Sequence, residues 1–308
     1  MIEKKRNVII DTDPGIDDAI AIAIAAFSEK VDIKLVTTVA GNVSCDKVTL
    51  NAMKLLTFLK KEIPIAKGAQ QPLLRDAVDA SDVHGATGME GFDFPKPNES
   101  LLIDKHAVNA IADVIRENNE KTTIVAIGPL TNIAMFIRMY PELLDKVEEI
   151  VMMGGALGRG NKGVLSEFNV AVDPEAARVV FTSGLPLALA PLDVAWKSMI
   201  LPNESETIGN MNDIGQMMYQ LFKKYRGGSF QTGLKMYDSF AIAYLLEPEM
   251  FTIEDVFVGI ELQGSYTAGA SVIDQKNYLN EKANCRVCTD VNPDMFKKWF
   301  MESIERCK

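Results

Sequence analysis

The sequence predicts an α/β fold: an open, mostly parallel (Rossmann-like) central sheet flanked by helices, with additional C-terminal strands and helices. Three observations carry this. Short β-branched runs alternate with longer helical patterns, the order expected of βαβ units. The chain has 308 residues and 47% hydrophobic content, enough for a large core. Polar, glycine-rich clusters follow nearly every strand, on the edge where open α/β sheets bind ligands. No composition shift or internal repeat divides the chain, so 1–308 reads as one domain.

The elements follow in order. Val8–Ile10 reads as a strand and Asp17–Ser28 as a helix after the Pro14-Gly15 turn. Ile33–Val39 is a strand, Ser44–Lys61 a helix and Ile63–Ala66 a short strand. Residues Lys67–Ser100 keep no period and hold many breakers, from Gly68 and Pro72 to Pro97. A loop this long inside a compact domain is expected to be a wall or lid of an active site. Asp104–Asn118 is helical with Asp104 as N-cap. Thr123–Ile127 is a strand, Leu130–Arg138 a helix and Val147–Met152 a strand. Pro174–Ser183 is a helix with proline in its first turn, and Leu187–Ala190 a strand. Asn203–Tyr225 is one Met-rich helical stretch, its Met217-Met218 pair read as core or lid packing, and Asp238–Leu246 is another helix. Phe257–Leu262, Ser271–Ile273 and Cys285–Thr289 are strands, and Pro293–Cys307 is an amphipathic closing helix.

A net charge of −10 argues against nucleic acid or an anionic membrane as partner. No run is long enough to span a bilayer. The start, Met1 to Arg6, is charged, and Val8–Ile10 is too short for a signal core, so a cytoplasmic protein is expected. Cys45, Cys285, Cys288 and Cys307 are scattered and the chain has two histidines, which suits reduced thiols better than structural zinc.

The first polar cluster is the most informative. Asp11, Asp13, Asp17 and Asp18 place four carboxylates in eight residues, which repel one another without a cation. Hard oxygen donors suit Ca2+ or Mg2+. Adjacent helical residues do not share a face, so Asp17 and Asp18 are expected to split between substrate and metal. Asp13, on the turn, is placed to reach a water on the metal. Asp11 is expected to face inward and support the turn. Asp-x-Asp after a strand also opens the haloacid-dehalogenase phosphatases, but those need a later Gly-Asp pair, and this chain has none.

Taken together, the clusters resemble the nucleoside hydrolases, the inosine-uridine type of N-ribohydrolases. The resemblance rests on Asp11 through Ala19, Val39-Ala40-Gly41-Asn42-Val43, Gly128-Pro129-Leu130-Thr131-Asn132, Met152-Met153-Gly154-Gly155 and Glu167-Phe168-Asn169, in order and spacing. It implies Ca2+-dependent hydrolysis of the N-glycosidic bond of ribonucleosides, giving ribose and free base in nucleoside salvage. It implies that Asp13 is general base and metal ligand, with Asp18, Asp238 and the carbonyl of Ile127 completing the metal shell. Asp17, Asn42 and Asn169 would hold the 2′- and 3′-hydroxyls. Met153, Asn161 and Glu167 would line the ribose and its 5′-hydroxyl, and His84 would stand near the base. A homodimer or homotetramer is implied as well.

The chain departs from the family at the leaving group. Many members carry a histidine before the C-terminal metal aspartate; here the order is Met236-Tyr237-Asp238. A phenol of pKa about 10 is a weak acid at neutral pH but still donates a hydrogen bond. Tyr225, in Tyr225-Arg226-Gly227-Gly228, is a second candidate donor. The alternative function is a nucleoside-binding protein with weak or lost catalysis. Trp196 is expected to pack in the core or an interface rather than stack on a ligand, and His106 to lie on the surface at a helix start.

Overall fold

Central strands of a sheet covered on both faces are apolar along their whole length rather than at alternate positions. The computed structural model, which describes residues 5–308, shows this pattern; the first four residues of the charged start lie outside that range. In chain order the elements are β1 (Arg6–Thr12), α1 (Ile16–Phe27), β2 (Val31–Thr38), α2 (Cys45–Phe58), β3 (Ile65–Lys67), α3 (Ser81–His84), α4 (Ala107–Glu117), β4 (Thr122–Ala126), α5 (Thr131–Met139), β5 (Val147–Met153), α6 (Phe168–Val172), α7 (Pro174–Phe181) and β6 (Leu187–Ala190). Then come α8 (Leu192–Lys197), α9 (Pro202–Gly209), α10 (Asp213–Phe222), β7 (Gly228–Ser229), β8 (Gly233–Leu234), α11 (Tyr237–Leu246), β9 (Phe251–Ile260), β10 (Ser271–Asp274), β11 (Cys285–Val291) and α12 (Pro293–Arg306).

The main sheet has the order β10-β9-β11-β6-β5-β4-β1-β2-β3. Every neighbouring pair from β3 to β11 is parallel, and β9 and β10 add antiparallel pairs at one edge. The mostly parallel sheet with flanking helices is therefore as the sequence predicts. The chain moves outward from β1 to β3 and then crosses back to lay β4 on the other side of β1. That reversal opens a crevice at the carboxyl ends of β1 and β4.

Two helices inside the fold aim at this crevice. α1 is buried from Ile16 to Ala25, and α11 at every position after Tyr237. Helices apolar all round belong in a core. They pack on each other, and Phe240 of α11 stacks on Phe296 of α12 with ring centroids 3.9 Å apart. Both N-termini thus meet at one place, where helix dipoles favour negative charge.

Several local expectations are corrected. α4 begins at Ala107, capped by His106, whose Nδ1 accepts from the Val108 N–H at 3.3 Å; Asp104 lies exposed upstream. The stretch expected as one helix, Asn203–Tyr225, is broken into α9 and α10, because Asn212 turns its Oδ1 to the Gly215 N–H and caps a new start. The long loop holds one helical turn, α3, whose last residue is His84. β9 begins six residues before Phe257, its Glu254 and Asp255 lying near the sheet edge where charge is tolerated. All four cysteines are buried and free. Among the described residues no helix is long and apolar enough to cross a membrane.

Candidate active site

The site begins where β1 ends. Asp11 points inward, its Oδ1 accepting from Thr37 Oγ1 and from Asn132 Nδ2 at 2.8 Å. Asn132 also donates to Thr38 O at 3.0 Å, so Asp11 ties the ends of β1 and β2 to α5. Burial raises its pKa to about 7.

Asp13 lies in a slot between Gly41 and Gly128. A Cβ on Gly41 would come within 2.1 Å of Asp13 Oδ2, and one on Gly128 within 2.7 Å of Oδ1. Both glycines are therefore required by close approach. Oδ2 accepts from the Asn42 N–H at 2.7 Å, while Oδ1 is buried with no hydrogen-bond partner among the described residues.

Asp18 reaches back along α1, its carboxylate accepting from the Gly15 N–H at 2.9 Å and Thr12 Oγ1 at 2.6 Å. Asn42 Nδ2 donates to Asp18 Oδ2 and to Asp13 O, both at 3.1 Å. Asp17 turns the other way and accepts from the Tyr225 hydroxyl at 2.8 Å. The helical offset thus separates their partners as the sequence suggests. It does not separate their oxygens: Asp17, Asp18 and Asp238 each bring one ligand atom within 4.8 Å of the others.

This cluster is electrostatically unbalanced. Burial, reinforced by neighbouring carboxylates, pushes Asp13 and Asp238 well above the usual range and Asp17 to about 7. Converging buried carboxylates, an orphaned Asp13 oxygen and two helix N-termini have the donor chemistry of a hard divalent cation. The main-chain oxygen of Ile127, beside the cluster, accepts from Asn169 Nδ2 at 3.0 Å.

Above the acids opens a cavity of about 400 Å3. Every residue expected at the site lines it except Asp13 and Asp18, which lie beneath it. Glu167 caps α6, its carboxylate accepting from the Asn169, Val170 and Gly155 N–H groups at 2.8, 3.1 and 3.0 Å; burial still raises its pKa to about 7. Asn161 Oδ1 accepts from the Phe168 N–H at 2.9 Å, so this residue can still offer its NH2. Asn169 Nδ2 also contacts Met153 O at 3.2 Å.

His84 is held by the start of α1: the Ile16 N–H donates to its Nδ1 at 3.1 Å. A Cβ on Gly15 would come within 2.5 Å of that nitrogen. Burial lowers its pKa to about 4, so the ring is neutral with its proton on Nε2. It packs on the Tyr225 ring at 5.5 Å. The Tyr225 hydroxyl has its one proton committed to Asp17 Oδ2, or to Lys235 O at 3.1 Å, and burial beside Asp17 raises its pKa well above 10. Tyr237 is half-buried on the cavity wall, its pKa also raised by burial.

Of the two packings expected for Trp196, the core and an interface, the structure corrects the first. Trp196 does not pack in the core; it is 52% exposed at the end of the short α8, lines the cavity, and has Lys235 Nζ 4.2 Å from its ring centroid. Lys235 carries no motif and was not foreseeable from sequence, since β8 alone brings it to Trp196.

The profile of the inosine-uridine preferring nucleoside hydrolases matches residues 8–298. The chain belongs to this family. The non-specific ribonucleoside hydrolase RihC of Salmonella paratyphi B is 48% identical to this nucleoside hydrolase over 296 residues, 96% of each chain. Among solved structures, an inosine-guanosine nucleoside hydrolase superposes with a TM-score of 0.91 at 30% identity. A purine-preferring ribonucleoside hydrolase from Gardnerella vaginalis gives 0.90 at 26% identity. Both alignments cover 98% of this chain and 99% of the other. As a nucleoside hydrolase the protein is an enzyme acting on N-glycosyl bonds.

Proposed function

We propose that this nucleoside hydrolase cleaves ribonucleosides to ribose and free base with Ca2+ held by Asp13, Asp18, Asp238 and the Ile127 carbonyl. The observation that carries the reading is the orphaned Asp13 Oδ1 beside converging buried carboxylates under a nucleoside-sized cavity. The ion, when bound, lowers the pKa of a water. Asp13 accepts that water's proton as general base. Asp17, Asn42 and Asn169 hold the 2′- and 3′-hydroxyls, and Met153, Asn161 and Glu167 enclose the 5′ end. Oxygens of these groups stabilise the positive charge that grows on the sugar as the bond breaks. His84 offers Nε2–H toward the base, and Tyr237 offers a neutral hydroxyl. Tyr225 positions Asp17 rather than supplying a proton.

The likeness to a relative named as non-specific supports acceptance of both purine and pyrimidine ribonucleosides. The reading includes action as a cytoplasmic homodimer or homotetramer, which sedimentation of the purified protein tests. The catalytic reading is tested by measuring ribose release from inosine, adenosine, guanosine, uridine and cytidine. Turnover of at least one above about 1 s⁻¹ is expected, within the usual range for enzymes. Tight binding of nucleoside without product would instead make the protein a binding module.

A further inference from the structure

The departing base is the unsolved end of this cavity. The carboxyls of raised pKa on its wall, Asp17, Glu167 and Asp238, are assigned to the ribose and the metal, and its histidine and tyrosines are poor proton donors at neutral pH. His84 is neutral and its Nδ1 is occupied by the Ile16 N–H. Burial has made both tyrosines poorer acids than free phenol. His106 sits at the far start of α4 and is not among the lining residues.

Three cations line the cavity: Lys162, Arg226 and Lys235. Two are engaged with the long loop. Lys162 Nζ donates to Asp79 O and an Arg226 guanidinium nitrogen to Asp82 O, each at 3.0 Å. Lys235 differs. No carboxylate lies within ion-pair distance of it among the described residues, and burial alone lowers its pKa. Its ammonium rests on the Trp196 ring. Its backbone is fixed: its N–H donates to Gly227 O at 2.9 Å, and the preceding Leu234 exchanges hydrogen bonds of 2.8 and 2.9 Å with Ile200. A partly desolvated cation without a counter-charge, held on an aromatic face at the wall of a cavity, is poised for an electron-rich ligand atom.

We infer that Lys235, seated on Trp196, binds the exocyclic oxygen of an oxo-nucleobase and carries the negative charge that develops there as the base leaves. This rests on the ribonucleoside hydrolase reading and names its favoured substrates: bases with a ring carbonyl, such as hypoxanthine and uracil. The balance is complete. The water oxygen bonds to C1′ and its proton passes to Asp13. The C1′–N bond breaks and its electron pair leaves with the base, spreading onto the exocyclic oxygen that accepts from the Lys235 ammonium. The base anion takes its proton from solvent on release, and Asp13 returns its own.

The test compares inosine with purine riboside, which lacks only the 6-oxygen, in the Ca2+-loaded parent and in Lys235→Met, Lys235→Gln and Lys235→Arg. A hydrogen bond to a charged partner corresponds to roughly 10- to 100-fold in rate. The neutral variants are expected to lose that much in kcat/KM on inosine and uridine and less than about 3-fold on purine riboside, while Lys235→Arg stays close to the parent. Equal losses on inosine and purine riboside, or no loss on either, would overturn the inference even if one neutral variant folds poorly. A parent that releases ribose from none of these substrates would overturn the hydrolase reading itself, and the role of Lys235 with it.

Discussion

Tyr225→Phe removes one hydroxyl and leaves the ring that packs on His84. The lost group donates to buried Asp17 Oδ2 at 2.8 Å, with Lys235 O at 3.1 Å as its other acceptor. A hydrogen bond to a charged group contributes about 1.5–3 kcal/mol, or roughly 10- to 150-fold in an equilibrium constant. If Asp17 binds a ribose hydroxyl equally in ground and transition states, the loss falls on binding: KM rises about 10- to 100-fold and kcat stays within about 3-fold. The pH profile gives an independent reading. The tyrosine hydrogen bond favours the Asp17 carboxylate and opposes the rise caused by burial and Asp18, which together leave its pKa at about 7 with the bond in place. Without it the acid form gains, so the acidic limb of kcat/KM moves to higher pH. Steady-state kinetics on uridine across pH checks both. A fall in kcat of about 1000-fold at unchanged KM, with loss of the basic limb, would make Tyr225 the proton donor and refute the argument.

Other outcomes follow from the same geometry. Gly41→Ala places a methyl where Asp13 Oδ2 already lies, 2.1 Å from the new Cβ, and should cut kcat by more than about 100-fold; overpacking should also destabilise by about 1–3 kcal/mol, seen in urea unfolding. The metal-free protein should lose stability as pH rises. Asp11 and Asp17 keep their protons to about pH 7 when folded, whereas an unfolded aspartate releases its proton near about 3.9, so the native state binds more protons in between. Thermal unfolding after chelation should give a lower Tm at pH 8 than at pH 5. Ca2+ should reverse the deficit, because a ligand at 100 times its Kd adds about 2.7 kcal/mol.

The acidic end of the site was legible because its residues are local in sequence. Four aspartates surround one turn, and Gly41 and Gly128 follow β2 and β4, the two strands that flank β1 in the sheet. The mouth was not legible. Trp196 and Lys235 meet only because β8 pairs with Ile200, and no periodicity encodes that contact. The anchor of His84 was hidden for a related reason: its partner is a backbone N–H at Ile16, which carries no residue signature. The break between α9 and α10 was masked by apolar residues on both sides, although Asn212 was a readable cap. Strand cores were predicted well and strand ends less so, as at β9, where charged residues belong to a solvated edge.

The most direct measurement is ribose released from uridine and inosine by the parent and by Asp13→Asn, before chelation, after it, and after Ca2+ is restored. The account predicts ribose and base in equal amounts, activity lost on chelation and recovered with Ca2+, and a fall in kcat of about 100- to 10,000-fold in Asp13→Asn with nucleoside still bound. Ribose release indifferent to chelation, or full activity in Asp13→Asn, would contradict it.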